Sequence, residues 1–600
     1  MPLPTASTPA EEYRQRQHSR EAAIAHFEGV HRSLGNIRLL IVIAALLVAW
    51  WSLHRNAFSA WWLLVPAAIF TAVAIYHPKV LRKKSLAERA FNFYKKGLAR
   101  IEDRWIGTGQ QAKRVDAAAS LYAIDLDLFG AGSLFELLSQ ARTSMGEDTL
   151  AHWLLSPSPV SEITERHKAV AELRNRIDLR EEMAILGDEN EKLKAGVHPE
   201  ALLQWAEAPA QLKRSSLRWI ALLLALLAIT GAIVWGETGI KAPFLFVLLI
   251  EAVIAFSLKD QLKKVFAGTD RAFADLQLLS SLLARLERES FASPRLQVLK
   301  QGLSSHSMPG SKAIAHLKTV VQYIESRDNW FIRLLDVPFM YSVQVAFAAE
   351  SWRRAHGKAV RAWLNAVGEL EALLSLAAYS YEHPADPFPE LIEGAPAFHA
   401  VELGHPLIPA AKCVRNTVNI SGQTRALLIS GSNMSGKSTL LRAVGINTVL
   451  AMAGAPVRAA SMQLTPLRTG ASILVNDSLQ EGSSRFYAEI TRLRRICDLA
   501  EQHPPVLFLL DELLQGTNSK DRLTGAEAVV RELIDSGAIG IISTHDLALT
   551  DINIGKDRLR NMHLQDEIED NKMKFDFKLR DGVVTRSNGV ELMRLIGLKV

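Results

Sequence analysis

The sequence predicts an α region joined to an α/β region: helical hairpins and long amphipathic helices as far as residue 383, then strands alternating with helices. Three observations predict this. Four apolar runs come in two pairs. Apolar residues recur at three- and four-residue intervals around them, and beyond Pro384, Pro387 and Pro389 the texture changes to short β-branched runs separated by turns.

Six hundred residues exceed what one core can organise, so several domains are expected. The hydrophobic share of 48% is ordinary for a globular chain, but the mean hydropathy of +0.08 points to apolar sequence concentrated in spans. Lys and Arg number 69 against 63 Asp and Glu, an excess compatible with anionic lipid or nucleic acid that selects neither. The two cysteines, Cys413 and Cys497, form no zinc or disulfide pattern and read as reduced cytosolic thiols.

Residues 1–38 are polar and carry Arg14, Arg16, Arg20 and Arg32, which predicts a cytoplasmic N-terminal segment and no cleaved signal peptide. Residues 39–76 form the first predicted transmembrane hairpin, LLIVIAALLVAWWSL followed by AWWLLVPAAIFTAVAIY. Residues 219–258 form the second, WIALLLALLAITGAIVW followed by PFLFVLLIEAVIAFSL. Each run is near the short end of what crosses a bilayer, and flanking Trp and Tyr suit the interface. Basic residues flank both hairpins (Arg32, Arg38, Lys79, Arg82, Lys83, Lys84; Lys213, Arg214, Arg218, Lys259, Lys263, Lys264), while the connecting loops are nearly neutral. The positive-inside rule then places both termini in the cytoplasm of a multi-pass inner or plasma membrane protein. Glu251, midway along the fourth run, is expected to face a partner helix or to be protonated. Residues 77–218 and 259–383 are helix-rich.

In residues 384–600 the runs ALLIS (Ala426 to Ser430), ASILV (Ala471 to Val475), VLFLL (Val506 to Leu510) and IGIIS (Ile539 to Ser543) are predicted strands of a mostly parallel sheet. ALLIS leads into Gly431-Ser432-Asn433-Met434-Ser435-Gly436-Lys437-Ser438-Thr439 and then a helical run, a complete P-loop in its strand, loop, helix context. Its backbone N–H groups would cradle the phosphates of ATP, Lys437 would neutralise them, and Ser438 would coordinate Mg2+. VLFLL ends in Asp511-Glu512, where Asp511 would hold Mg2+ through water and Glu512 would polarise the attacking water. His545, after the last strand, is a candidate sensor of the γ-phosphate. An ATP-hydrolysing domain follows.

At these residues the chain resembles the MutS family of mismatch-repair ATPases. Asn433-Met434 in the P-loop, Gly404-His405-Pro406-Leu407, Asn416 to Asn419, Asp477 to Glu489 and Asp511 to Ser519 carry the likeness, and Asp125 to Gly130 with Trp153, Pro157, Glu165 and Arg166 extends it. The resemblance implies an ABC-type ATPase domain, a helical core with lever arms, and a homodimer with composite sites in which Ser484 reaches the nucleotide of the opposite subunit. It also implies engagement of double-stranded or branched DNA in mismatch repair or related damage processing. Two apolar spans occupy the stretch before Ala123, where the family has its mismatch-reading domain, so a membrane-anchored variant lacking that domain is expected, with the lipid bilayer as a further partner. The family's Phe-x-Glu probe occurs only as Phe388-Pro389-Glu390, beside the ATPase, and reads as coincidence. An ATP-driven membrane or protein-assembly switch that no longer reads mismatches is the alternative; a primary transporter would need a polar pathway that one acid in four short spans does not offer.

Overall fold

The computed structural model describes residues 8–55, 59–186, 199–212, 216–267, 269–305, 308–327, 329–432, 434–474, 485–555, 557–569 and 572–584. The labelled helices are α1 (Pro9–Arg55), α2 (Leu64–Ile101), α3 (Ile177–Ile185), α4 (Ser216–Thr238), α5 (Ala242–Phe266), α6 (Trp330–Phe339), α7 (Tyr341–Glu382), α8 (Lys437–Ala453), α9 (Arg485–Ala500) and α10 (Ser519–Asp535). The chain divides into two compact units. One comprises Met1–Gln140, Leu150–Ile185 and Leu374–Val600; the other comprises Ala141–Thr149 and Leu186–Leu373.

In the first unit, α1 and α2 form a hairpin much longer than their apolar runs, at 47 and 38 residues. Leu40, Leu46, Trp50, Trp61 and Ile75 are exposed along the apolar part. Toward the polar ends the hairpin is fastened by side chains: His31 meets His77 at 2.7 Å, and Tyr13 packs edge-on against Tyr94. There Tyr13 donates to Glu382 (3.3 Å), Arg180 donates to Tyr13 (3.2 Å), and Arg100 binds both Glu382 oxygens at 2.7 and 2.6 Å. Tyr94 donates to Glu181 of α3, which Arg20 also meets at 2.6 Å. Every one of these groups has a partner, as burial of charge requires.

The C-terminal strands are β1 (Glu390–Leu391), β2 (Phe398–Leu403), β3 (Asn416–Ile420), β4 (Ala426–Ser430), β5 (Ser461–Leu464), β6 (Arg468–Ser472), β7 (Val506–Asp511), β8 (Ile539–Thr544), β9 (Leu559–Glu569) and β10 (Lys572–Asp581). Six form a sheet in the order β10-β9-β4-β8-β7-β6, parallel except for the β9–β10 hairpin, and β1-β5-β2-β3 form a second sheet. Leu428, Phe508 and Ile542 project from the six-stranded sheet into a core with Ile496 of α9 and Val530 and Ile534 of α10. The central strands are apolar at successive positions because both faces are covered.

Three predicted strands match in place; the fourth is shifted. The strand expected over residues 471–475 instead spans Arg468–Ser472. It ends there because the N–H groups of Ile473 and Leu474 both donate to Asp125 at 2.7 Å, which takes them out of the ladder. Phe388 stacks on His167 with ring centres 4.6 Å apart.

In the second unit, α4 and α5 pack as a hairpin, with Gly231 of α4 allowing Phe244 of α5 to approach; a Cβ there would lie 3.1 Å from the Phe244 Cα. The helices Thr269–Arg288 and Gly310–Ser326 pack together. Glu371 of α7 is buried and accepts from the Thr143 N–H and hydroxyl at 3.1 and 2.5 Å.

Candidate functional site

β4 delivers the chain into the P-loop, and α8 begins at Lys437. Gly436 has φ +96°, a conformation that L side chains rarely adopt, and a Cβ on it would strike the Phe577 ring at 2.9 Å. A Cβ on Gly431 would come within 2.8 Å of the Leu564 carbonyl oxygen. The glycines are thus required by turn geometry and by the close passage of β9 and β10. Lys437, nearly buried, donates to the carbonyls of Gly431 and Ser432, both at 2.9 Å, and so folds back across the loop. The buried hydroxyls of Ser432 and Ser435 find no hydrogen-bond partner among the described residues. A loop with spare donors around a lysine suits an anion such as phosphate.

The acidic strand end meets this loop. Asp511, the last residue of β7, accepts from the hydroxyls of Ser438 and Ser543. Glu512 is held at φ +53°, and its N–H donates to the Ser543 carbonyl at 3.0 Å. Its two oxygens are divided, one 3.5 Å from Lys437 Nζ and the other 2.7 Å from His545 Nδ1. Among the described residues no cluster of three His, Cys, Asp or Glu is placed to hold a metal alone. The Ser438 and Asp511 oxygens fit Mg2+, which takes few protein ligands and completes its shell with water and substrate phosphate.

The predicted loop residues Gly431, Ser432, Ser435, Gly436, Lys437 and Ser438 therefore meet the strand-end pair Asp511 and Glu512, with His545 bonded to the last and Thr439 following in the first turn of α8. Met434 is exposed with φ +74°. Asn433 and Ser484 lie outside the described residues, as does most of Asp477 to Glu489. The described end of that segment does reach the acidic loop: Glu489 accepts the Leu514 N–H at 2.6 Å, and Phe486 packs so closely on Gly516 that a Cβ there would meet it at 2.7 Å.

Four contributors went unassigned in the sequence. Ser543 was signalled only by its place at a strand end. Asn416 ties β10 to the lead-in strand by binding the Phe577 carbonyl and the Leu579 N–H at 2.9 and 2.8 Å. Phe577, stacked on Phe575, presents a half-exposed ring beside Gly436. Asp125 is fully buried, pairs with Arg492, and fixes the end of β6. Burial pushes its carboxyl up, while the Arg492 guanidinium and the two N–H groups oppose that shift.

Profiles of MutS domain III and MutS domain V match residues 120–377 and 427–599, and between them they span most of the chain. The chain belongs to the MutS family. Endonuclease MutS2 of Thermus thermophilus is 33% identical over 253 residues, which is 41% of this chain and 32% of that protein. DNA mismatch repair protein MutS 2 of Halobacterium salinarum is 33% identical over 244 residues, 40% of this chain and 28% of that protein. The matched region thus spans about a third of each relative's length. The MutS domain V match covers the P-loop, the acidic strand end and β10. The domain III match encloses Asp125 and also the apolar pair α4 and α5, so this MutS chain carries a second hairpin inside its core.

Proposed function

We propose that this MutS protein is a membrane-anchored ATP hydrolase that engages DNA. The observation that carries the enzymatic part is the junction of Lys437, Ser438, Asp511 and Glu512. The P-loop N–H groups and Lys437 bind the phosphates, and Ser438 and Asp511 provide the oxygens for Mg2+, which when bound neutralises charge on the β and γ phosphates. Glu512, fixed between Lys437 and His545, orients water and draws its proton, while His545 keeps the carboxylate aimed. Phe577 offers a flat apolar face beside the loop for a nucleobase.

Anchoring rests on four helices long and apolar enough to cross a membrane, with their apolar windows largely exposed. DNA engagement rests on family likeness, as does a homodimer whose sites Ser484 completes in trans. One observation favours the second reading, an ATP-driven membrane or assembly switch: Arg285 and Arg295 are paired with Glu289 and Glu369, which leaves less free cation on the core helices for a phosphate backbone. DNA binding by the detergent-purified protein across a salt series decides between them. A steep fall of log affinity with log salt is expected, because phosphate contacts release counterions; absence of binding at low salt refutes DNA engagement and leaves the switch.

A further inference from the structure

The segment WFIRLLDVPF, helix α6, has an apolar surface that no described residue of its unit covers. Trp330, Phe331, Leu334 and Phe339 are 75, 53, 67 and 41% exposed, while Asp336 is turned back to accept the Ser342 N–H and hydroxyl, both at 2.7 Å. Ten residues make a helix of about 15 Å, half the thickness of a hydrocarbon core, so α6 does not span one.

Its two flanks return to one place. Arg327, at the end of the helix Gly310–Ser326, precedes it by a few residues. After it the chain turns at Met340 (φ +45°), and Tyr341 bonds the Tyr323 carbonyl at 3.1 Å and the Ser326 hydroxyl at 2.7 Å. The helix therefore leaves the end of Gly310–Ser326 and comes back to it.

α6 packs on both helices of the apolar hairpin, α4 and α5. The Arg327 guanidinium sits 4.1 Å over the ring of Phe266, the last residue of α5, which fixes the level at which α6 begins. Exposed Lys259, Lys263 and Lys264 lie in the last two turns of α5, and exposed Arg218 and Trp219 lie in the first turn of α4. Basic and aromatic side chains gathered at the end of an apolar hairpin mark the headgroup zone of a bilayer, and the cytoplasmic leaflet is the one whose anionic lipids attract such cations.

We propose that α6 is an interfacial helix that lies in the cytoplasmic leaflet, with Trp330, Phe331, Leu334 and Phe339 in the acyl boundary and exposed Arg333 at the lipid phosphates. The occupant of its apolar face is anionic phospholipid, continuous with the lipid that surrounds α4 and α5. This rests on the anchoring proposed above. Its effect is to fix the start of α7, one residue beyond α6, at the membrane surface.

The test uses the full chain, with Cys413→Ser and Cys497→Ala, in vesicles of phosphatidylcholine and phosphatidylglycerol. Single cysteines replace Leu334, Val253 (exposed in mid-α5) and Lys312 (exposed, at the start of Gly310–Ser326), and each carries a small fluorophore. Bromine on the lipid chains should quench positions 334 and 253 but not 312, and aqueous iodide should quench 312 several-fold more strongly than 334. Quenching at 253 with 334 fully open to iodide overturns the proposal and leaves the hairpin anchor standing. No lipid quenching at 253 overturns the anchor and the proposal together. Position 334 shielded from both quenchers, with cross-linking between copies through that cysteine, assigns the face to a second subunit and also overturns it.

Discussion

Replacing Glu512 by Gln preserves size and one hydrogen-bonding oxygen while removing the charge. A positioned general base contributes about 10²–10⁴ in rate, which is about 3–5 kcal/mol of barrier; turnover should fall by that factor. ATP binding should move the other way. In the structure one carboxylate oxygen lies 3.5 Å from Lys437 Nζ, so Glu512 competes with phosphate for that cation. Two unit charges at that distance attract by roughly 5 kcal/mol at an effective dielectric of about 20. Because the Glu512 side chain is 21% exposed, solvent leaves a net effect on the order of 1 kcal/mol. Losing this competition should tighten ATP binding several-fold, where tenfold corresponds to about 1.4 kcal/mol. Equilibrium binding of a fluorescent ATP analogue and single-turnover hydrolysis, both on the full-length protein in detergent, read the two effects separately. Turnover close to wild type would place the base elsewhere; loss of binding in parallel with turnover would mean that Glu512 shapes the pocket and does not do chemistry.

Lys437→Ala should weaken ATP binding by roughly 10–100-fold, since a hydrogen bond to a charged group is worth about 1.5–3 kcal/mol; titration calorimetry reads this, and unchanged affinity contradicts the loop assignment. His405 and His167 are both lowered to about 4, chiefly by burial, with Arg442 adding to the effect at His405. Their folded values lie below the usual 6.5, so the stability they contribute is complete above pH 6.5 and is lost as pH falls toward 4, on the order of 3 kcal/mol each at the acid limit. His405→Gln should flatten that acid limb in a series of melting temperatures against pH. Glu382→Gln should lower stability by about 3–5 kcal/mol, because it leaves Arg100 buried without its charge partner, whereas Arg14→Ala, at an exposed pair with Glu102, should change little; denaturant titration in detergent compares the two.

What could be read in the sequence followed local rules. A P-loop needs glycine where φ is positive and lysine at a fixed offset, so Gly436 and Lys437 are visible from spacing alone, and a strand covered on both faces shows itself as VLFLL. Residues whose role depends on distant partners were not legible. Phe577 reaches the P-loop only because β9 pairs with β4, and no local pattern announces that pairing. Asp125 stood within a segment carrying the family likeness, but its hydrogen bonds to Ile473 and Leu474 moved the end of β6 away from where apolar texture placed it. The break between α6 and α7 depends on the positive φ of Met340, a residue type that gives no warning of it.

The grip of Asp125 on Ile473 joins residues 348 positions apart in the chain. A ribosome adding about 5–20 residues per second takes roughly 20–70 seconds to cover that interval. During this time Asp125 lacks the Ile473 and Leu474 donors it accepts from in the finished fold, while α4, α5 and α7 are still being made. The six-stranded sheet consequently cannot complete its β6 edge until residue 474 has been made, about four fifths of the way along the chain. A fragment beginning at the proline-rich boundary near residue 384 would lack the carboxylate that terminates β6 and would leave Arg492 without its counterion. Supplying residues 8–140 as a separate polypeptide during refolding is therefore the natural way to recover such a fragment, and the order in which the pieces are added should set the yield.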